Sequence, residues 1–290
     1  MENPKYIRIF SDIHLDFDIP TNHKHFDPNM DIWTPPLFKT DKETILILAG
    51  DIWHAKKPFN FMNFSWFKKI SPQFHSIIII LGNHDFWGGN LETEYENYLK
   101  HIKDQNLNNL YLLQDNTIII GNNKFIGGTL WTDYDNANPK IMRDAESLMN
   151  DFKYIRNGKT FSKLRATHLL GAHAKTARYI KDNAKKDDSK QNLWVITHHL
   201  PTFKSIPPQY QYDGHYAENA MYASNLEHLM NNDIAAWIHG HSHLHAYYNI
   251  GTTKIIANPR GYRGEKTDYD PYALFDLEGN KIKNDAAFND

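Results

Sequence analysis

The chain has 290 residues, 41% hydrophobic and 23% charged, with a formal net charge of -2 and no cysteine. That length suits one large α/β domain with a well-buried core, and the charge gives no basic footprint for nucleic acid or an anionic membrane. Without cysteine, disulfides and thiolate ligands are excluded, which leaves His, Asp and Asn as metal-binding types and fits a reducing cytoplasm.

Residues 1–5 are polar and include Glu2, unlike a secretory leader. The first strand-like run, Tyr6–Phe10, leads into Asp12-Ile13-His14, and the second, Ile45–Ala49, leads into Gly50-Asp51. A helix is predicted over Phe59–Ile70, where Phe59, Met62, Trp66 and Ile70 recur at helical spacing and Phe61, Phe64 and Phe67 widen the apolar face. Ile77–Leu81, too short to cross a bilayer, precedes Gly82-Asn83-His84-Asp85. A further helix is predicted near Glu92–Gln105. This order suggests βαβ units and a largely parallel sheet.

Between Leu110 and Leu130 the rhythm changes to short strands broken by turn residues. Pro139–Asp151 and Leu164–Asn183 read as helices, the latter running into a charged loop over Lys181–Lys190. Strand Leu193–Ile196 leads into Thr197-His198-His199, followed by a long segment, Pro201–Asn219, rich in Pro, Tyr and Gln. A helix is expected over Asn219–Met230, then strand Ile234–Ile238 ahead of Gly240-His241-Ser242-His243. Short strands at His245–Ile250, Lys254–Ala257 and Ala273–Phe275 close the pattern. No internal repeat or linker divides the chain, so residues 1–290 read as a single domain.

Five segments thus end strand-like runs in metal-ligand types. Carboxylates, imidazoles and one amide at the ends of several strands converge on one sheet edge, where α/β architectures place their chemistry. Asp-x-His and His-x-His set two ligands two positions apart, on one face of a regular strand. A carboxylate such as Asp51 can bridge two cations, and Asn83 offers a weaker carbonyl ligand. Two divalent ions against Asp12 and Asp51 leave a net positive site suited to a phosphate ester. Water between the ions, its pKa lowered, would attack phosphorus in line.

In this order the five segments resemble the calcineurin-like metallophosphoesterase superfamily, whose pattern runs D-x-H, G-D, G-N-H-[DE], a lone His and G-H-x-H. The resemblance spans Asp12 to His243. It implies a four-layer α-β-β-α sandwich of two mixed sheets flanked by helices. It further implies one ion held by Asp12, His14, Asp51 and His243, and a second by Asp51, Asn83, His198 and His241. The ions would be Mn, Fe, Zn or similar. His84 would contact the phosphate and protonate the leaving group. Gly50-Asp51-Ile52-Trp53-His54-Ala55 departs from the protein-phosphatase motif, which argues against protein dephosphorylation. The segments Gly128–Tyr134 and Trp237–His241, with Asn258–Tyr262, look like a bacterial branch of predicted phosphoesterases.

The expectation is a cytoplasmic dinuclear phosphohydrolase that favours phosphodiesters over monoesters. Its substrate would be a small phosphate ester, nucleotide-like in one reading, with neither membrane nor nucleic acid indicated. The alternatives are a nuclease of the same superfamily or a non-enzymatic scaffold. Asp85 either orients an imidazole or caps the following segment. His199 is a candidate substrate contact or a support behind the ligands, His54 is a substrate contact or a packed or exposed loop histidine, and Arg260 is either a phosphate clamp or part of a turn. His239 reads as core. Tyr210, Tyr212, His215 and Tyr216 suggest an aromatic rim on the long segment.

Overall fold

The computed structural model describes residues 3–18, 32–55 and 59–282, without the side chains of 59–64 and Asp213. The predicted apolar faces of Phe59, Phe61, Met62 and Phe64 therefore lie outside the described residues.

Four parallel strands make up most of the five-stranded first sheet: β1 (Tyr6–Phe10), β2 (Thr44–Ala49), β3 (Ser76–Ile80) and β4 (Leu110–Leu113). All residues of β2 and β3 are buried, as continuous aliphatic runs demand when both sheet faces are covered. The second sheet contains β5 (Asn116–Ile120), β6 (Asn123–Gly128), β9 (Asn192–Thr197), β10 (Ile234–Ile238), β11 (Ala246–Ile250) and β12 (Thr253–Ala257). Its spatial order is β11-β12-β10-β9-β6-β5, with antiparallel edges around a parallel centre. β13 (Phe275–Asp276) pairs antiparallel with β1, and a small hairpin joins β7 (Arg156–Asn157) to β8 (Ser162–Lys163).

The two-residue side-chain period of the strands decides the layering. Ile7, Ile9, Ile47 and Ile78 turn inward to meet Phe125, Trp194, Ile196 and Ile238 of the other sheet. On the opposite face Phe10, Leu46 and Ile79 share a core with Trp66, Phe67, Ile70 and Tyr98 from helices Phe59–Ile70 and Glu94–Asp104. Helix Ala166–Asn183 places Ile180 in a third core with Ile126, Val195 and Trp237. The result is the expected pair of mixed sheets flanked by helices. Among the described residues, no helix is long and apolar enough to cross a membrane.

Two expectations need correction. The predicted helix over Asn219–Met230 is absent: helix Tyr216–Asn219 ends there, and only a 3-10 turn follows at Glu227–Leu229. The backbone between them pairs with the chain after β9 instead of with itself: Leu200 donates to Tyr222, while Ser224 donates to Leu200. The helix predicted over Pro139–Asp151 divides into Pro139–Leu148 and Asp151–Tyr154, because Met149 is extended. Asn138 starts the first of these by accepting from the Lys140 and Ile141 amides.

Trp194 sits fully buried between the sheets and donates from its indole to the Leu277 carbonyl at 3.2 Å. Trp194→Ala should lower unfolding free energy by about 3–5 kcal/mol. Chemical denaturation checks this, and a loss below about 1 kcal/mol would deny that the inter-sheet layer is tightly packed.

Candidate metal centre

The carboxyl ends of β1, β2, β3, β9 and β10 meet at one edge, and backbone hydrogen bonds stitch the loops that leave them. Asp12 donates to the Gly50 carbonyl and His14 to the Asp51 carbonyl, both at 3.0 Å, while Gly240 donates to His198 at 3.0 Å. A strap after β12 crosses between the sheets: Arg260 donates to the Ser11 carbonyl at 3.0 Å and Gly261 to that of Asp12 at 2.9 Å. Asp12, His14, Asp51, His241 and His243 all lie in the left-handed region, with φ of 48°, 47°, 54°, 71° and 50°. Non-glycine residues seldom adopt it, and its concentration here marks a site where geometry outranks local comfort. Gly82 serves that geometry by its lack of a side chain, since a Cβ there would fall 2.1 Å from Asp51 Oδ1.

Three overlapping groups of donors result, each with ligand atoms within 4.8 Å of one another: Asp12, His14 and His243; Asp51, His198 and His241; and His14, Asp51 and His84. Asp51 belongs to two of them. Its Oδ1 stands 3.3 Å from His198 Nε2, and its Oδ2 stands 3.8 Å from His14 Nε2. Asn83 joins by its amide: Oδ1 faces His198 Nε2 at 3.0 Å, and Nδ2 donates to Asp151 Oδ1 at 2.9 Å.

Burial dominates the acid–base character of the cluster. It holds His14, His199 and His241 well below the usual imidazole range, so their lone pairs are free to ligate. Burial also pulls on His198, but the charge and hydrogen bond of Asp51 outweigh it and lift that group to about 9. For Asp51, burial opposes ionisation, yet His198 and His84 hold its carboxyl well below the carboxylate range. The buried His241 Nε2 and His14 Nδ1 have no hydrogen-bond partner among the described residues. Oxygen and nitrogen donors with unpartnered imidazole nitrogens fit first-row divalent cations.

The remaining predicted residues divide by what they touch. His84 is held by its amide, which donates to Asp51 Oδ1 at 2.8 Å, and by Trp87, stacked on its ring at 3.6 Å. Asp85 accepts from the amides of Gly82, Asp51, Ile52 and Trp53 at 2.8–3.3 Å, so it fastens the β2 and β3 loops to each other, and among the described residues it has no hydrogen bond to an imidazole. Burial and the charge of Asp51 push its carboxyl up to about 7. His199 packs on His241 at 4.1 Å between ring centroids, with Nδ1 3.3 Å from the Thr129 carbonyl. His54 faces Asp16 at 3.2 Å, and its ring lies 5.5 Å from that of His84. Arg260 is committed to the Ile13 carbonyl and the Asp18 carboxylate, both at 2.8 Å, which accounts for it as a brace of the β1 loop. His239 is buried and shares a hydrogen bond with Ser205 Oγ at 2.8 Å.

Four neighbours of the centre escaped the sequence reading. Trp87 and Asp151 fix His84 and Asn83, with the indole donating to Asp151 at 2.7 Å. Tyr262 stacks on His14 at 4.5 Å, its hydroxyl 3.4 Å from His84 Nε2, and Glu265 meets His243 Nδ1 at 2.7 Å. All four line a cleft of about 440 Å³ over the donor groups. Of the expected aromatic rim, Tyr210 reaches this cleft, whereas Tyr212 bonds His215 and Tyr216 donates to Asp135.

Residues 6–245 match the calcineurin-like phosphoesterase family. The chain belongs to that family. Membership and the clustered His and Asp donors support a metal-dependent phosphoesterase. Uncharacterized protein L509 of Acanthamoeba polyphaga mimivirus is 27% identical over 291 residues, 97% of this chain and 99% of that relative. Among solved structures, the phosphopantetheinyl hydrolase of Mycobacterium tuberculosis shares the fold with a TM-score of 0.61. It is 14% identical, and the match covers 98% of this chain and 97% of that one.

Asp85→Ala would strand four loop amides at once. A loss of about 3 kcal/mol or more in denaturant unfolding of the metal-stripped variant is expected. A loss under about 1 kcal/mol would show that the loops hold without it.

Proposed function

We propose that the protein is a dinuclear phosphohydrolase that cleaves phosphodiesters in preference to monoesters. The observation that carries this reading is the membership of Asp51 in two donor groups, which suits a carboxylate shared by two ions. Asp12, His14, Asp51 and His243 would hold one cation, and Asp51, Asn83, His198 and His241 the other. Mn, Fe or Zn would satisfy such donors. When bound, the ions supply Lewis acidity, neutralising phosphate charge and lowering the pKa of water.

His84 is assigned to the leaving group rather than to a metal, although its position beside His14 and Asp51 would also suit a ligand. Trp87 keeps its ring plane fixed, and Tyr262 stands at hydrogen-bond reach of Nε2, where a proton would pass to the departing oxygen. Burial lowers the pKa of His84, and an anionic phosphate beside it would favour the protonated form. Asp151 orients the Asn83 amide so that its oxygen faces the centre.

Diester preference draws support from the two flanks of the cleft. Tyr262 stands beside His14 and His243, whereas Tyr222 stands beside His241, so organic groups can leave the phosphorus on both sides. A nuclease reading gains nothing from the cleft, where Lys266 is the single Lys or Arg among the lining residues. A cytoplasmic location and a single domain over 1–290 belong to the same proposal, the latter supported by the core shared between the sheets.

The test is hydrolysis by metal-stripped protein re-supplied with Mn, Fe or Zn, on paired aryl phosphate diesters and monoesters. Restored turnover with a diester preference is expected, and a monoester preference would overturn the substrate class. His84→Ala should cut turnover about 10²-fold or more while two ions per chain remain; wild-type turnover would remove His84 from its role. Asp51→Asn should bring metal stoichiometry below two, and retention of two ions would count against the shared carboxylate.

A further inference from the structure

We infer that the substrate carries its phosphate on a neutral, apolar or ring-bearing group seated in a side arm of the cleft. The inference rests on the phosphoesterase reading of the centre. The arm has a volume of about 420 Å³ and is walled by Leu148, Met149, Pro207, Tyr210, Met221 and Tyr222. Seven of the eleven residues that line the arm, Leu148, Tyr210, Tyr222 and His241 among them, also line the cleft, so a group in the arm is continuous with the reaction centre.

Two features of the arm select its occupant. Its walls offer apolar surface to solvent without a packing reason: Leu148 is 62% and Tyr210 48% exposed. Leu148 closes helix Pro139–Leu148, whose core side uses Ile141 and Ala145 instead. Apolar surface left open beside a polar centre is the ordinary signature of a ligand wall.

The second feature is charge. No Lys or Arg lines the arm, and its one acidic lining residue, Glu218, is engaged by His215 Nδ1 at 2.6 Å. The Asn219 amide is likewise occupied, donating to the Tyr210 carbonyl at 2.7 Å. A second phosphate or a carboxylate would enter beside Glu218 with no cation to meet it. A polyol would meet mostly apolar walls, with the Ser242 hydroxyl, which has no hydrogen-bond partner among the described residues, as one of its polar contacts. A flat or branched apolar group meets neither obstacle, and its burial against these walls is favourable.

Calorimetric titration of manganese-loaded protein with inorganic phosphate, methylphosphonate and phenylphosphonate tests this without turnover. Phenylphosphonate should bind about tenfold more tightly than methylphosphonate, as burial of one ring allows. Leu148→Asp and Tyr210→Ala, both at exposed positions, should each shrink that ratio to about threefold or less. Equal affinities in the unaltered protein, with phosphate bound, would overturn the arm while leaving the phosphoester site standing. A ring preference that survives both substitutions would also overturn it, by placing the ring elsewhere. Failure of all three anions to bind would sink the phosphoesterase reading, and the arm with it.

Discussion

A buried carboxylate beside buried imidazoles is the constraint on which this architecture turns. Asp51 is almost wholly removed from solvent, and it is kept ionised by the histidines around it and by the amide of His84. Such a charge is costly in a protein interior unless every oxygen is answered. The loops answer it from several directions, and Asp85 in turn fixes the Asp51 amide at 2.8 Å. The close approach of His14 and His243, with ring nitrogens 3.1 Å apart, makes sense in the same terms. Two ring nitrogens at that range can share a proton or a cation, and the Asp12 carboxylate that completes their donor group suits the cation.

That arrangement is bought with backbone strain. Five candidate ligands take left-handed conformations, which cost about 1 kcal/mol or more apiece for residues with side chains. Hydrogen bonds between adjacent loops, and the strap from Arg260 and Gly261 to the β1 loop, hold them there. The sheets supply the rigidity: aliphatic strands buried on both faces leave the loop origins little freedom.

Much of this was legible in the sequence because both layers of information are short-range. Apolar runs such as Ile77–Leu81 announce strands, and a ligand type within four residues of each run must emerge at the same sheet edge. The six His and Asp residues so nominated, together with His84, do share the three donor groups. What stayed hidden depends on distant partners. Asp151 lies 68 residues from Asn83, and Glu265 lies 22 from His243, with nothing local to mark either. Trp87 resembles an ordinary core aromatic until its stacking on His84 is seen. The absent helix after Asn219 failed for a related reason: the chain beside Leu200, distant in sequence, offered its backbone partners. Arg260 shows the converse, a residue suited to phosphate but spent on holding a loop.

The donors come from two different sheets: Asp12, His14 and Asp51 follow strands of one, while His198, His241 and His243 follow strands of the other. Neither sheet alone possesses a complete set. Cation capture and the docking of the sheets are therefore thermodynamically linked, each favouring the other. Every tenfold rise in free cation above its dissociation constant would add about 1.4 kcal/mol per ion to the folded state. For this chain, the availability of metal would govern persistence of the fold as well as chemistry, and starvation for the ion would loosen the seam between its halves.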